Sequence, residues 1–388
     1  MEEILLLLYA NNFFNLANYI LLVLLALFLR KSKGKIFVPR NGAFVFLLIA
    51  SLTYMVFYIR NFGMPSSTLF FLRFLAPILM YYYGVMIGKD GTQRLRRCIL
   101  YIGIGGFIHG ALNVVTNRNV NFLLINGRQY NDIYGGYISG TLQSLYFVIM
   151  CSLLFNFIFE GKNKWMKLGG VFCVLIGLYG SISNASRTPI YVTVLVFIAG
   201  ILIYQHEKTN FISAIARTSG IVLGLALIAI LIVWFDLFHV KEWYAGTSLG
   251  RRAVMYAKAG NTLTDNDRWT YASDILKMLP SNPFGNVSYP NFAHNLWVDV
   301  AKEAGVVPFL AYIGFALSAI RIGVKLFNDK QIQIFDKIFF IAVLVGLFMV
   351  FFTEPIMQGS PITFSFFCFI VGGVATTMQV RSTDPIAS

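Results

Sequence analysis

The residue pattern predicts an all-α polytopic membrane protein of about eleven transmembrane helices with one large extracytoplasmic loop. Three observations carry this. The 388-residue chain is 57% hydrophobic and only 12% charged, where a soluble domain carries about 25% charged residues. Its mean hydropathy is +0.69. Its apolar residues gather in runs close to the ~20 residues that a helix needs to cross a bilayer. The chain is therefore read as a single integral membrane domain over 1–388 rather than as a series of soluble domains.

The runs lie at 10–29, 43–60, 68–88, 98–115, 136–159, 165–183, 188–205, 217–238, 305–321, 338–354 and 360–380. Glycines within them (Gly105, Gly106, Gly110, Gly177) are compatible with membrane helices and mark close packing. Alternate connections are rich in cations: Arg30, Lys31, Lys33, Lys35 and Arg40; Lys89, Arg94, Arg96 and Arg97; Lys162, Lys164 and Lys167; Lys208 and Arg217; Arg321, Lys325, Lys330 and Lys337; and Arg381. The positive-inside rule makes these cytoplasmic, with the N-terminus outside and the C-terminus inside. The acidic start, Glu2 and Glu3, agrees. That start has neither a basic stretch nor a small-residue cleavage site, so no removed signal peptide is expected.

Net charge is +14, which in a soluble protein would raise nucleic-acid binding. Here topology accounts for most of it, and no nucleic-acid partner is expected. The four cysteines lie in or at apolar segments without paired spacing and read as small buried residues. Residues 239–296 form a long polar stretch on the outer side, and such a loop is usually functional or a linker. Its aromatic, patterned sequence argues against a linker. Within it "WTYASDILKML" suits a short surface helix and "SNPFGN" a turn.

The outer side also carries cations against the rule, among them Arg128, Arg187, Arg251, Arg252 and Arg268. Long loops translocate regardless of charge, which covers much of the group. Arg187 is different, because "SNASRTPI" is a very short connection ahead of a helix-starting proline. A guanidinium beside a helix N-terminus forms an anion site; the alternative is an interface anchor. Arg73 lies inside a span, in "TLFFLRFLAPILMYYYG". An intramembrane arginine is either functional or snorkels to the headgroups. Arg128, in "NGRQYNDIYGG", suits sugar or phosphate binding as well as solvation. His294 stands at a membrane entry, "NFAHNLWVDVAKEAGVVPF", and its ordinary pKa of about 6.5 suits a base. On an ideal helix His294 shares a face with Trp297, Val298 and Ala301, while Glu303 falls about 180° away. Glu303 then pairs with a basic group elsewhere or with backbone, or is structural. There is no Walker loop, metal-ligand spacing or GxSxG elbow. Chemistry at the outer face would rest on Arg, His and an acid, with no cofactor or metal.

These residues together resemble the O-antigen ligase and Wzy-type polymerase superfamily. The resemblance rests on "HNLWVDVAKEAG" (His294, Asn295, Glu303, Gly305), "DRWTYASDILKMLPSNPFGN" (Arg268 and the Pro-Phe-Gly turn), "SRTPI" (Arg187) and "NGRQYNDIYGGYISGTL" (Arg128), in that family's order over roughly 120–325. It departs from the family at Pro308 and Asn286, where a second glycine is often found. The resemblance implies a GT-C-type glycosyltransferase fold in the bacterial cytoplasmic membrane, with its active site facing outward. It implies undecaprenyl-diphosphate-linked glycan as donor and acceptor, membrane lipid as surroundings and, by family analogy alone, a chain-length regulator. His294, Arg268 and Arg187 would be catalytic; Arg128, Arg73, Asn295, Glu303, Arg251 and Arg252 would bind substrate. Polymerisation of lipid-linked repeat units is favoured over ligation to a lipid A core, because nothing in the chain points to that acceptor. A lipid-linked oligosaccharide flippase would need charges deep in several spans and two pseudo-symmetric halves. A peptidoglycan polymerase of the SEDS type would lean on an outer-loop acid such as Asp265 or Asp267.

Overall fold

A computed structural model describes residues 1–31, 39, 41–117, 129–139, 147, 164–258, 267–285 and 292–383. In chain order its helices are α1 (Glu2–Ala10), α2 (Ala17–Lys31), α3 (Gly42–Phe62), α4 (Ser67–Lys89), α5 (Thr92–Thr116), α6 (Lys164–Ser183), α7 (Thr188–Lys208), α8 (Phe211–Trp234), α9 (Val240–Gly246), α10 (Ser248–Lys258), α11 (Asp267–Met278), α12 (Leu296–Ala304), α13 (Val306–Asn328), α14 (Ile334–Phe351), α15 (Ile356–Gly359) and α16 (Pro361–Thr383). Between α5 and α6 runs one antiparallel hairpin, β1 (Gln129–Asn131) with β2 (Tyr137–Ser139).

Among the described residues eight helices are long and apolar enough to cross a membrane: α3, α4, α5, α7, α8, α13, α14 and α16. Shorter apolar stretches lie in α2 and α6. The protein is therefore a predominantly helical, polytopic membrane chain. Two of the expected runs need correction. The run at 10–29 is not one helix, because Asn12, Phe14 and Asn15 adopt positive φ and break the chain between α1 and α2. Asparagine tolerates that region, and two of them flank the break. The run at 136–159 begins in β2, not in a helix; past Ser139 only residue 147 is described.

The elements fall into two compact units. The first comprises Met1–Gly105, Asn266–Asp329 and Leu347–Ser388. Its centre is the pairing of α4 with α16, which run in the same direction. Gly84 faces the carbonyl of Phe369, and Gly88, one turn on, faces that of Gly373. Small residues at this spacing let membrane helices approach to backbone contact, where dispersion and weak hydrogen bonds replace the missing hydrophobic drive. Pro77 lacks the N–H that would bond the Arg73 carbonyl, and the helix widens into a π turn over Phe71–Leu75 just before it. The sequence thereby puts Arg73 on a bulge. α13 lies against α3, with Gly314 accepting the Phe46 ring.

Glu2 pairs with Arg94, which also pairs with Asp90. The start of α1 therefore sits at the same end of this unit as the Lys89–Arg94 turn. The expectation that Glu2 and that basic turn lie on opposite sides is overturned, because the acidic start finds its counter-charge in Arg94. From there α1 leads to Asn11, whose amide donates to the Gly105 carbonyl within α5 (3.1 Å).

The second unit comprises Gly106–Asp265 and Lys330–Gly346. In it α7 packs on α8, and Lys337 pairs with Glu207. The last turns of α5 hold the hairpin loop through residues spaced one turn apart. His109 Nε2 meets Asp132 Oδ2 at 2.9 Å, Asn113 Oδ1 accepts from Ile133 N (2.9 Å), and Asn117 donates to the Asn131 carbonyl (2.8 Å). His109 is thus part of a polar clasp. It grips a carboxylate whose pKa lies below the usual range: burial of Asp132 raises it, but hydrogen bonds from His109, Tyr134 N and Asn113 and the charge of His109 lower it further.

Candidate functional site

The site is built on the turn that leads into α12. Asn295 caps the helix, its Oδ1 accepting from Trp297 N (3.1 Å) and Val298 N (3.3 Å). Asp299, one turn in, reaches back and accepts from Ala293 N (2.7 Å) and Asn295 N (3.0 Å). Both sides of the turn are thus held by side chains that satisfy backbone donors at the helix start. Between them His294 adopts φ +53, in the small left-handed region where Asn, Asp and His are enriched. His294 therefore precedes the helix, and the helical face expected for it with Trp297 and Val298 does not exist. The cap at Asn295 ends regular geometry one residue too late for His294 to share it.

Every residue of α12 is buried. Trp297 packs against Phe348, Phe351 and Phe352, with ring centroids about 6 Å away. Val298 and Ala301 meet Ile275 of α11 and Leu279 just after it. In the first turn of α11, Arg268 Nη1 donates to the Thr353 carbonyl (2.8 Å), which ties that arginine to the turn after α14. The far end of α12 is fixed by the Pro-Phe-Gly turn. Val306 N donates to the Pro283 carbonyl (2.9 Å), and Asn61 Nδ2 donates to the carbonyls of Phe284 (2.7 Å) and Glu303 (2.8 Å).

Glu303 is 4% exposed, and the Tyr54 hydroxyl donates to its carboxylate. The basic group expected near it is Arg73, whose charge and that of Glu303 act on each other, while the hydrogen bond goes to Tyr54, which nothing in the sequence signals. The Tyr54 ring also contacts Tyr58, over whose face the Arg73 guanidinium lies at 4.8 Å. Arg73 is itself only 4% exposed, so it does not reach out to an interface, and its Nε and Nη1 lack hydrogen-bond partners among the described residues. The Lys302 ammonium sits 3.6 Å over the Phe292 ring. Burial lowers its pKa, opposed by the charges of Glu303 and Asp299.

Burial pushes the Asp299 carboxyl up to about 7, opposed by the N–H groups of Ala293 and Asn295; Glu303 adds to the rise and Lys302 opposes it. The sign follows. An unfolded aspartate titrates at about 3.9, so between there and about 7 the folded chain holds a proton that the unfolded chain has lost. Stability falls as pH rises through that window and levels above it, by up to roughly 4 kcal/mol. Asp299→Asn does not titrate. The stability advantage of the native chain over Asp299→Asn is expected to shrink from pH 4 to 7, read from unfolding in detergent across pH. An advantage that grows with pH would mean the two N–H bonds outweigh burial.

In the second unit, Arg187 is the N-cap residue of α7, ahead of Pro189. It lines a cavity of about 210 Å³ with Arg252, Tyr191 and Tyr244. Arg252 Nη1 donates to the Ala185 carbonyl (2.8 Å), which turns it onto the segment just before α7. Two guanidiniums and a helix N-terminus around one cavity suit an anion. Arg251, its neighbour, is exposed. Arg128 lies outside the described residues.

The expected site residues thus gather in two sets. Arg73, Arg268, His294, Asn295 and Glu303 belong to the first unit, and Arg187, Arg251 and Arg252 to the second. Asn61 and Tyr54, which hold Glu303 from α3, were not foreseen. Asp299 lies one position beyond the three-residue spacing of a reciprocal cap, so the sequence does not mark its bond back to Asn295 N either. Compared with known proteins, the chain matches no family model and no curated sequence.

Proposed function

We propose that the protein is a GT-C-type glycosyltransferase that polymerises undecaprenyl-diphosphate-linked repeat units on the outer side of the bacterial cytoplasmic membrane. The observation that carries this reading is the locked turn: a histidine held at positive φ between Ala293 and Asn295, whose N–H groups both donate to Asp299, just ahead of a helix packed against the one that bears Arg268. In the reaction an acceptor sugar hydroxyl attacks the anomeric carbon of the donor glycan. The bond from that carbon to the diphosphate oxygen breaks, a glycosidic bond forms, and undecaprenyl diphosphate leaves. His294 takes the hydroxyl proton. Negative charge grows on the diphosphate oxygens, and a guanidinium, Arg268, stabilises it; within the second unit, Arg187 and Arg252 line an anion-suited cavity of their own. Asn295 and Glu303 position, through the turn and through α12.

The positive-inside rule, applied to Lys89, Arg94 and Arg97, assigns their end of the first unit to the cytoplasm. Glu2 goes with them, and the entry to α12 is assigned to the opposite, outer side. Glycan analysis after gene deletion tests the function. Single repeat units still attached to the acceptor are the expected product. Long chains accumulating on the carrier lipid would make the protein a ligase instead, and an unchanged glycan would remove it from polysaccharide assembly.

A further inference from the structure

Another cavity bears no relation to the chemistry above. It lies in the first unit, at the end that carries the Lys89–Arg94 turn, and has a volume of about 700 Å³. Its walls are the start of α3 at Asn41 and Gly42, the last turns of α13 and the end of α16 near Met378. Close to it, Thr377 of α16 reaches the Gly88 carbonyl at the foot of α4 (3.5 Å).

Three features of its lining belong together. Arg321 and Lys325 both line it, one helical turn apart on α13, against a single carboxylate among the described residues, Asp329. Asn41 Oδ1 is already engaged, accepting from Phe44 N (2.9 Å) and the Tyr81 hydroxyl (2.8 Å), which fixes the α3 start as one rim. Gly42 beside it leaves open space where a side chain would be. The third feature leads away from the cavity. Leu310, Leu317 and Val324 are 58%, 60% and 53% exposed. A spacing of seven residues aligns them along one face of α13, and Val324 is itself in the cavity wall. A lane of exposed aliphatic side chains on a membrane span thus ends at a hollow with two cations.

We propose that this hollow binds the headgroup of an anionic phospholipid of the cytoplasmic leaflet, its phosphate held by Arg321 and Lys325 and its acyl chains laid along the Leu310–Leu317–Val324 lane. The phosphodiester supplies the negative charge that two cations against one acid call for, and basic pockets between membrane helices on the cytoplasmic side have this chemistry. A free phosphate would use the cations but has no reason to need the lane. The site is independent of the proposed transferase activity.

The test uses the full chain purified in detergent, with binding read by native mass spectrometry and by the shift in thermal unfolding. The probes are phosphatidylglycerol, phosphatidylcholine and inorganic phosphate. Phosphatidylglycerol is expected to bind and to raise the midpoint; phosphatidylcholine and phosphate are not. Arg321→Gln with Lys325→Gln should weaken phosphatidylglycerol binding about 30-fold, since each cation at the surface contributes roughly a factor of five. Gly42→Met, which fills the hollow without changing charge, should weaken it as well. Lys277→Gln, an exposed cation on α11, should leave it unchanged. An equal shift with inorganic phosphate makes this a soluble-anion site and overturns the lipid assignment. Binding undiminished in both the double variant and Gly42→Met overturns the site.

Discussion

Replacing His294 with asparagine is expected to lower chain polymerisation by about 10²–10⁴-fold, the usual worth of a general base, while leaving the unfolding temperature close to that of the native chain. The substitution is chosen from the backbone. His294 sits at φ +53, a region that asparagine enters readily and alanine does not. Asparagine therefore keeps the turn and removes only the imidazole. The turn has its own supports in Asn295 and Asp299, neither of which bonds through the His294 side chain. The measurements are glycan length on gels and transfer by purified protein, each beside a thermal unfolding curve. Native-length glycan from the asparagine variant removes His294 from the chemistry. Loss of length together with a large fall in unfolding temperature assigns the residue to the turn's structure.

Gly305→Val is expected to destabilise the protein by roughly 2–6 kcal/mol, with backbone strain and overpacking each contributing roughly 1–3. Gly305 has φ +87 between α12 and α13, and a Cβ there would be driven into the Pro283 carbonyl and the Phe284 backbone. Those are backbone atoms that cannot rotate away. The same contact carries the Val306 N to Pro283 O bond, which fastens the Pro-Phe-Gly turn to the end of α12. Thermal unfolding in detergent checks it. An unchanged midpoint would mean the two segments separate easily and that the turn does not brace α12.

Much of this was legible in the chain. Apolar runs of membrane length mark α3, α4, α5, α7, α8, α13, α14 and α16, because a bilayer requires each crossing to satisfy its own backbone and to be apolar over a fixed length. Cap chemistry is equally local: Asn295 before an apolar helix, Pro189 just after Arg187 and Pro77 above Arg73 all act within one turn. The break at 11–16 was harder, since its residues are apolar or small amides and differ from a span only in backbone angles. That Glu2 and the Lys89–Arg94 turn share one end was not legible in the charges, because Glu2 pairs with Arg94, 92 residues away.

The sequence by itself determined that this is a membrane-spanning helical chain, where its cations concentrate, and which short segments carry the polar residues at the entry to α12. Both follow from solvation, since the bilayer selects for hydrophobic length, and from hydrogen bonds closed within a few residues. Only the tertiary structure decided that Glu303 faces Tyr54, that Arg73 is enclosed against Tyr58, and that Arg187 shares a cavity with Arg252. Those partners lie from 15 to 249 residues apart. Which of them meet depends on how helices cross, and crossing is set by close packing at small residues such as Gly84 and Gly88 rather than by any local signal.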